Sequence, residues 1–171
     1  SAFKNLALKN SKIDFNLTES DEFNKNGINN IEVLYKPSEQ SSPKLLSKIA
    51  SGGEKSRILF ALKSILSKKI DLPTLVFDEI DSGTSGEIAN AIGKMMKIMG
   101  KKIQIIAITH LPQVASLADY HYKVFKIEEE KNISTNIKKL DTSSRIKEIA
   151  SMISGENITE SAINQAQELL K

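Results

Sequence analysis

Two short apolar runs, each cut off by polar residues, constrain this chain more than any other feature. Thr74-Leu75-Val76-Phe77 stops at Asp78-Glu79, and residues 103–109 stop at His110. Between them Ile88, Ile92, Met95 and Met99 recur at helical spacing, with Gly100 as a C-cap. Ile58, Ala61, Leu62 and Ile65 mark an earlier helix over residues 54–69, and Pro73 closes the connector after it. Helix, strand, helix, strand predicts a parallel sheet with crossover helices, its strands buried on both faces.

The flanking segments read differently. Ile13, Phe15 and Leu17 alternate with polar residues, as in a half-buried strand. Residues 18–30 are polar, with Gly27 and several Asn, and predict a loop; residues 31–35 predict a second strand. A Ser-rich loop spans residues 37–43. Residues 1–43 are therefore expected to form a β-hairpin or meander leading into the body of one domain, 1–171. Further on, strand-like runs at 122–127 and 133–140 flank a charged turn, as in a hairpin. Helices are expected over 143–152 and 159–170, the second capped by Thr159. No internal repeat is present.

Composition excludes several classes. A net charge of +3 without a dense Lys/Arg block permits nucleic-acid contact but does not argue for it. The chain has no cysteine, so it has no disulfide framework and no Cys-based zinc site, which fits a reducing cytoplasm. No apolar run approaches the roughly 20 residues that span a bilayer. The opening Ser1-Ala2-Phe3, without Met, reads as the start of an excised fragment.

Three motifs carry chemistry. Ser51-Gly52-Gly53-Glu54 stands at a helix start, where glycines admit close backbone approach and outward N–H groups favour anions. Alone it is equally a loop with an N-cap. Asp78 and Glu79 end a buried strand, the edge at which open α/β sheets bind ligands. Asp78 can hold Mg²⁺, a hard cation that keeps several waters, and Glu79 can orient or deprotonate an attacking water. Alone they are a pair of solvated acids. His110, ending the second run, can donate to a phosphate oxygen, although a lone His is more often structural.

Taken together, in this order and spacing, the three resemble the signature motif, Walker B and switch histidine of ABC-type ATPases. Ser82-Gly83-Thr84-Ser85 then falls at the D-loop. Ser85 stands where those proteins usually carry Asp, which leaves the contacts of that Asp unassigned. Lys48-Ile49-Ala50-Ser51-Gly52-Gly53-Glu54-Lys55-Ser56-Arg57 resembles the RecN family rather than transporters. So do Phe77-Asp78-Glu79-Ile80-Asp81-Ser82-Gly83, Thr109-His110-Leu111-Pro112-Gln113-Val114-Ala115 and Ile158-Thr159-Glu160-Ser161-Ala162. The resemblance covers residues 44–171, and more weakly the strands before them.

That resemblance implies an α/β fold, the C-terminal lobe of an ABC/SMC-type head, with a largely parallel sheet, flanking helices and β-hairpins. It implies an ATPase acting with Mg²⁺ in double-strand break repair in the bacterial cytoplasm, at the nucleoid, with DNA as a partner and no membrane. Two heads would dimerise around ATP. Asp78 would position Mg²⁺ through water, Glu79 would be the base and His110 would read the γ-phosphate. Ser51, Gly52, Gly53 and Glu54 would face the partner head's ATP, with Ser82 and Gly83 in the D-loop. No Gly-x-x-x-x-Gly-Lys-Ser/Thr occurs in the chain, so an N-terminal Walker A lobe of the same full-length protein is the implied partner, and the fragment alone is expected to be inactive. Two other readings stay open. One is a head fragment of another SMC-like chromosome-structural ATPase; the other is a non-catalytic module that binds DNA or a partner.

Overall fold

The computed structural model describes residues 6–25, 27–49, 52–67, 69–78, 80, 83–84, 86–129 and 132–171, with residues 128, 129 and 132 described by backbone alone. They fall into two compact units.

The first unit holds residues up to 71 together with 80–84. Strand β1 (Lys12–Asn24) pairs antiparallel with β2 (Gly27–Lys36), and β2 pairs in turn with the short β3 (Lys44–Leu45). A 3₁₀ turn (Leu46–Lys48) follows, and then helix α1 (Gly52–Leu66). Leu6, Leu8, Tyr35, Ile58, Phe60, Ala61 and Ile80 form its buried apolar set.

The loop expected over residues 18–30 is instead most of a long hairpin. Pairing runs from Lys12 opposite Lys36 to Glu19 opposite Asn29, then resumes at Asn24 opposite Gly27 after a register shift. The polar composition misled because Phe15, Leu17 and Ile31 are exposed even where the strand does alternate. A ribbon open to water is held by its backbone ladder, and Thr, Asn and Glu carry that ladder as well as Val does.

The second unit holds residues 72–79 and 85–171. Strand β4 (Thr74–Asp78) runs parallel to β5 (Gln104–Ile108), joined through helix α2 (Gly86–Gly100), as the helix–strand alternation predicts. Helix α3 (Pro112–Ala115) follows β5. Strands β6 (Tyr122–Glu129) and β7 (Asn132–Lys139) form the expected antiparallel hairpin. Helices α4 (Thr142–Ser154) and α5 (Glu160–Leu169) end the chain. Thr159 caps α5 as expected, accepting from the Ala162 amide at 3.2 Å. Ala115, Ile149, Ala150, Ala162 and Ala166 form one core cluster where α3, α4 and α5 meet.

Two expectations need correction. The buried face of α2 is wider than the expected stripe: it carries Ala89, Ile92, Gly93, Met96 and Met99, with Ile88 and Met95 half-buried. Gly93 draws the face round: it leaves room for α3, with Leu117 Cδ1 only 2.8 Å from where a Cβ would stand. Nor are both faces of the parallel pair buried. Phe77 is buried, but Val76, Ile106 and Ile108 are exposed, because alternate side chains point to opposite faces and a two-stranded pair with one crossover helix encloses only one. Parallel pairing is confined to β4 and β5 among the described residues; the other two sheets are antiparallel.

Candidate functional site

In the first unit the glycine motif opens α1. Gly52 is the first residue of the helix, and a Cβ built on it would meet nothing within 4 Å. The approach to the helix N-terminus is therefore open, and Glu54 in the first turn complements the helix dipole. Gly83 adopts φ +69°, a left-handed conformation that favours glycine. A Cβ at Gly83 would lie 4.0 Å from Gly53 Cα, so two of the expected site glycines are neighbours.

Glu54 does not simply face solvent. The Tyr35 hydroxyl donates to Glu54 Oε1 at 2.6 Å, tying the first turn of α1 to strand β2. Tyr35 is 1% exposed, and its phenol is pushed up to about 12, first by burial and then by this bond to a carboxylate. Sequence reasoning missed Tyr35 as part of the site. Its place in a strand gave no signal of a partner 19 residues away.

In the second unit Asp78 and His110 leave the same edge of the parallel pair. Asp78 is the last residue of β4 and lies opposite Ile108, the last residue of β5; His110 follows two residues later. Both are exposed. Thr109 Oγ1 accepts from the Leu111 amide at 3.0 Å, closing a tight turn around His110. Ser51, Glu79 and Ser82 lie outside the described residues. Among the described residues no group of three or more His, Cys, Asp or Glu could hold a metal ion. The exposed carboxylate of Asp78 fits a Mg²⁺ held through water rather than by a protein cage. No helix among the described residues is long and apolar enough to cross a membrane.

The chain is similar to the "DNA repair protein RecN" of several bacteria. It is 41% identical over 167 residues to that of Rickettsia bellii, which takes in 98% of this chain and 30% of the relative. It is 35% identical over 170 residues to that of Haemophilus influenzae, covering 99% of this chain and 30% of the relative. Against Bacillus subtilis it is 39% identical over 145 residues, 85% of this chain and 25% of the relative. The chain belongs to the RecN family. It spans about 30% of the length of these RecN relatives and corresponds to their C-terminal part. No family model matches it.

The fold is that of SMC heads. The Smc head domain with a coiled coil and joint from Pyrococcus yayanosii matches with TM-score 0.62 at 18% identity, over 86% of this chain and 28% of that one. A chain solved in work on ATP-driven dimerization and DNA-stimulated activation of SMC ATPases matches with TM-score 0.59 at 20% identity, over 91% and 88%. The RecN-like stretch and the SMC-head fold each take in most of the chain.

Proposed function

We propose that this chain is the C-terminal lobe of an ATP-hydrolysing, SMC-like head that works in DNA double-strand break repair and recombination. The reading rests on the parallel register of β4 and β5, with Asp78 opposite Ile108, so that the Asp-Glu and the His motifs leave one sheet edge. Residues 1–171 act as one lobe, completed by an N-terminal Walker A segment of the same full-length protein.

Asp78 would hold Mg²⁺ through water, and the bound ion would supply charge neutralisation of the phosphates. Glu79 takes the role of base toward the attacking water, and His110 donates toward the γ-phosphate. The open N-terminus of α1 suits an anion presented by a second head, toward which the motif assigns Ser51, Gly52, Gly53 and Glu54; Gly83 lies beside it, and the motif assigns Ser82 to the same D-loop. A dimer of heads closing on two ATP molecules and acting on DNA follows from this division of the site. The expected setting is the bacterial cytoplasm, at the nucleoid.

Glu79→Gln in the full-length protein tests the reading. A general base is worth about 10²–10⁴ in rate, so turnover should almost vanish while ATP binding survives. Unchanged steady-state hydrolysis would remove Glu79 from the role, and failure of the unaltered full-length protein to hydrolyse ATP would remove the ATPase reading itself.

A further inference from the structure

Helix α3 has four residues, Pro112–Ala115, and starts one residue after Leu111, its N-cap. A single helical turn does not hold itself together; its geometry comes from what anchors its ends. At its start, the Leu111 amide is fixed by Thr109 Oγ1, across His110. Its own carbonyls are already taken up, Pro112 O by the Ser116 amide, Gln113 O by Ser116 Oγ, Val114 O by the Leu117 amide and Ala115 O by the Ala118 amide, which leaves the carbonyls just beyond the helix to be satisfied.

The carbonyls of the turn that follows α3 meet one side chain. Arg145 Nη2 donates to Ser116 O at 2.8 Å, to Ala118 O and, more weakly, to Ala115 O at 3.4 Å. Arg145 belongs to the first turn of α4, behind the N-cap Asp141. A cation there opposes the dipole of its own helix, and its Nε is buried without a hydrogen-bond partner. Both features count against the residue as a stabiliser of α4. They are offset at the far end of the side chain, where the guanidinium complements the negative end of α3. The contacts to Ala115 and Ser116 are part-buried, and that to Ala118 is exposed.

We propose that Arg145 is a positioning residue for His110. Through the carbonyls of residues 115, 116 and 118 it fixes the end of α3 from behind, and α3 in turn fixes the turn at residues 109–111 that presents the histidine. The C-terminal helical pair thereby bears on the reactive edge of the sheet although none of its residues lies in the expected site. The proposal rests on His110 acting in the hydrolysis described above.

The test is a double-mutant cycle in the full-length protein with Arg145→Met and His110→Ala. Misplacement of a reacting group by about 1 Å can cost up to about 10²-fold, so Arg145→Met should lower kcat by roughly 10-fold to 100-fold with KM for ATP within about twofold. Adding Arg145→Met to His110→Ala should lower kcat no further. Amide hydrogen exchange at residues 114–118 should quicken in Arg145→Met. Arg145→Lys, which keeps the charge but not the fork, should fall between Arg145→Met and the unaltered protein, and it serves as the test variant if Arg145→Met does not fold.

Additive losses in the cycle, or unchanged exchange at residues 114–118, would overturn the role of Arg145 while leaving the ATPase reading intact. A His110→Ala protein with full activity would instead overturn the role of His110.

Discussion

Tyr35 donates its phenolic proton to Glu54 across 2.6 Å, joining the hairpin strand β2 to the first turn of the glycine-motif helix. One partner is 1% exposed and the other is charged, so the bond belongs to the stronger class. Tyr35→Phe should cost about 1.5–3 kcal/mol, read as a shift of the denaturation midpoint. The same change should make stability less sensitive to alkali. Tyr35 ionises at about 12 in the folded chain against 10.0 for the free side chain, so its contribution is complete below pH 10.0 and is lost as pH rises to about 12. That loss is about 2–3 kcal/mol for the unaltered chain, and it should be absent in Tyr35→Phe. Denaturant titrations on either side of that window check both statements.

The difference between what could and could not be read in advance lies in range. The β4–α2–β5 unit was legible because apolar runs and a 3.6-residue period are local patterns, and parallel pairing follows from the intervening helix. Thr159 as a cap was legible for the same reason. The hairpin beyond Leu17 was not, because an exposed ribbon imposes no apolar period on residues 18–30. Tyr35–Glu54 and Arg145–Ser116 were invisible, since nothing in a strand tyrosine or a helix arginine names a partner 19 or 29 residues away. The motif residues Asp78 and His110 were found by spacing, but what fixes them is tertiary.

His121 should make the second unit sensitive to acid. Its Nδ1 is buried without a hydrogen-bond partner, and its pKa lies below 6.5, first from burial and then from the charge of Arg145. Lys123 adds to the effect and Glu148 opposes it. The unfolded chain therefore takes up the proton more readily than the folded one. The neutral imidazole is compatible with the fold above pH 6.5, and stability should fall as pH drops through that value. Thermal melts from neutral pH downward should show the decline, and His121→Gln should flatten it. An identical slope in the variant would mean that other groups carry it.

Gly93 should not tolerate a branched side chain. A Cβ there would stand 2.8 Å from Leu117 Cδ1, 3.3 Å from Gln113 O and 3.4 Å from Val114 Cα. The leucine tip can move, but the backbone of α3 can do so only by shifting the turn that carries His110. Alanine's better helix propensity, about 1 kcal/mol over glycine, works against that strain, so alanine is an ambiguous probe. Gly93→Val adds two further carbons and should destabilise by roughly 1–3 kcal/mol. A melting temperature equal to that of the unaltered chain would show that α2 and α3 pack less tightly than these distances state.

The isolated 171-residue chain should neither bind ATP at micromolar concentration nor hydrolyse it. ABC-type sites neutralise most phosphate charge with a Walker A lysine and its backbone nest, and the sequence holds no such motif. What the chain brings toward a phosphate includes Asp78 and Glu79, which by themselves repel it. His110 and the open N-terminus of α1 attract it. An exposed helix N-terminus contributes about 0.3–1 kcal/mol, and ~2 when partly buried. Micromolar affinity needs about 8 kcal/mol. A histidine hydrogen bond to a charged group adds about 1.5–3 kcal/mol and does not close that gap. Isothermal titration with Mg-ATP should therefore give no heat of binding at micromolar ligand. Joining the chain to the Walker A segment should restore it. A micromolar dissociation constant for this chain alone would mean that the phosphate site lies elsewhere than on α1 and the β4–β5 edge.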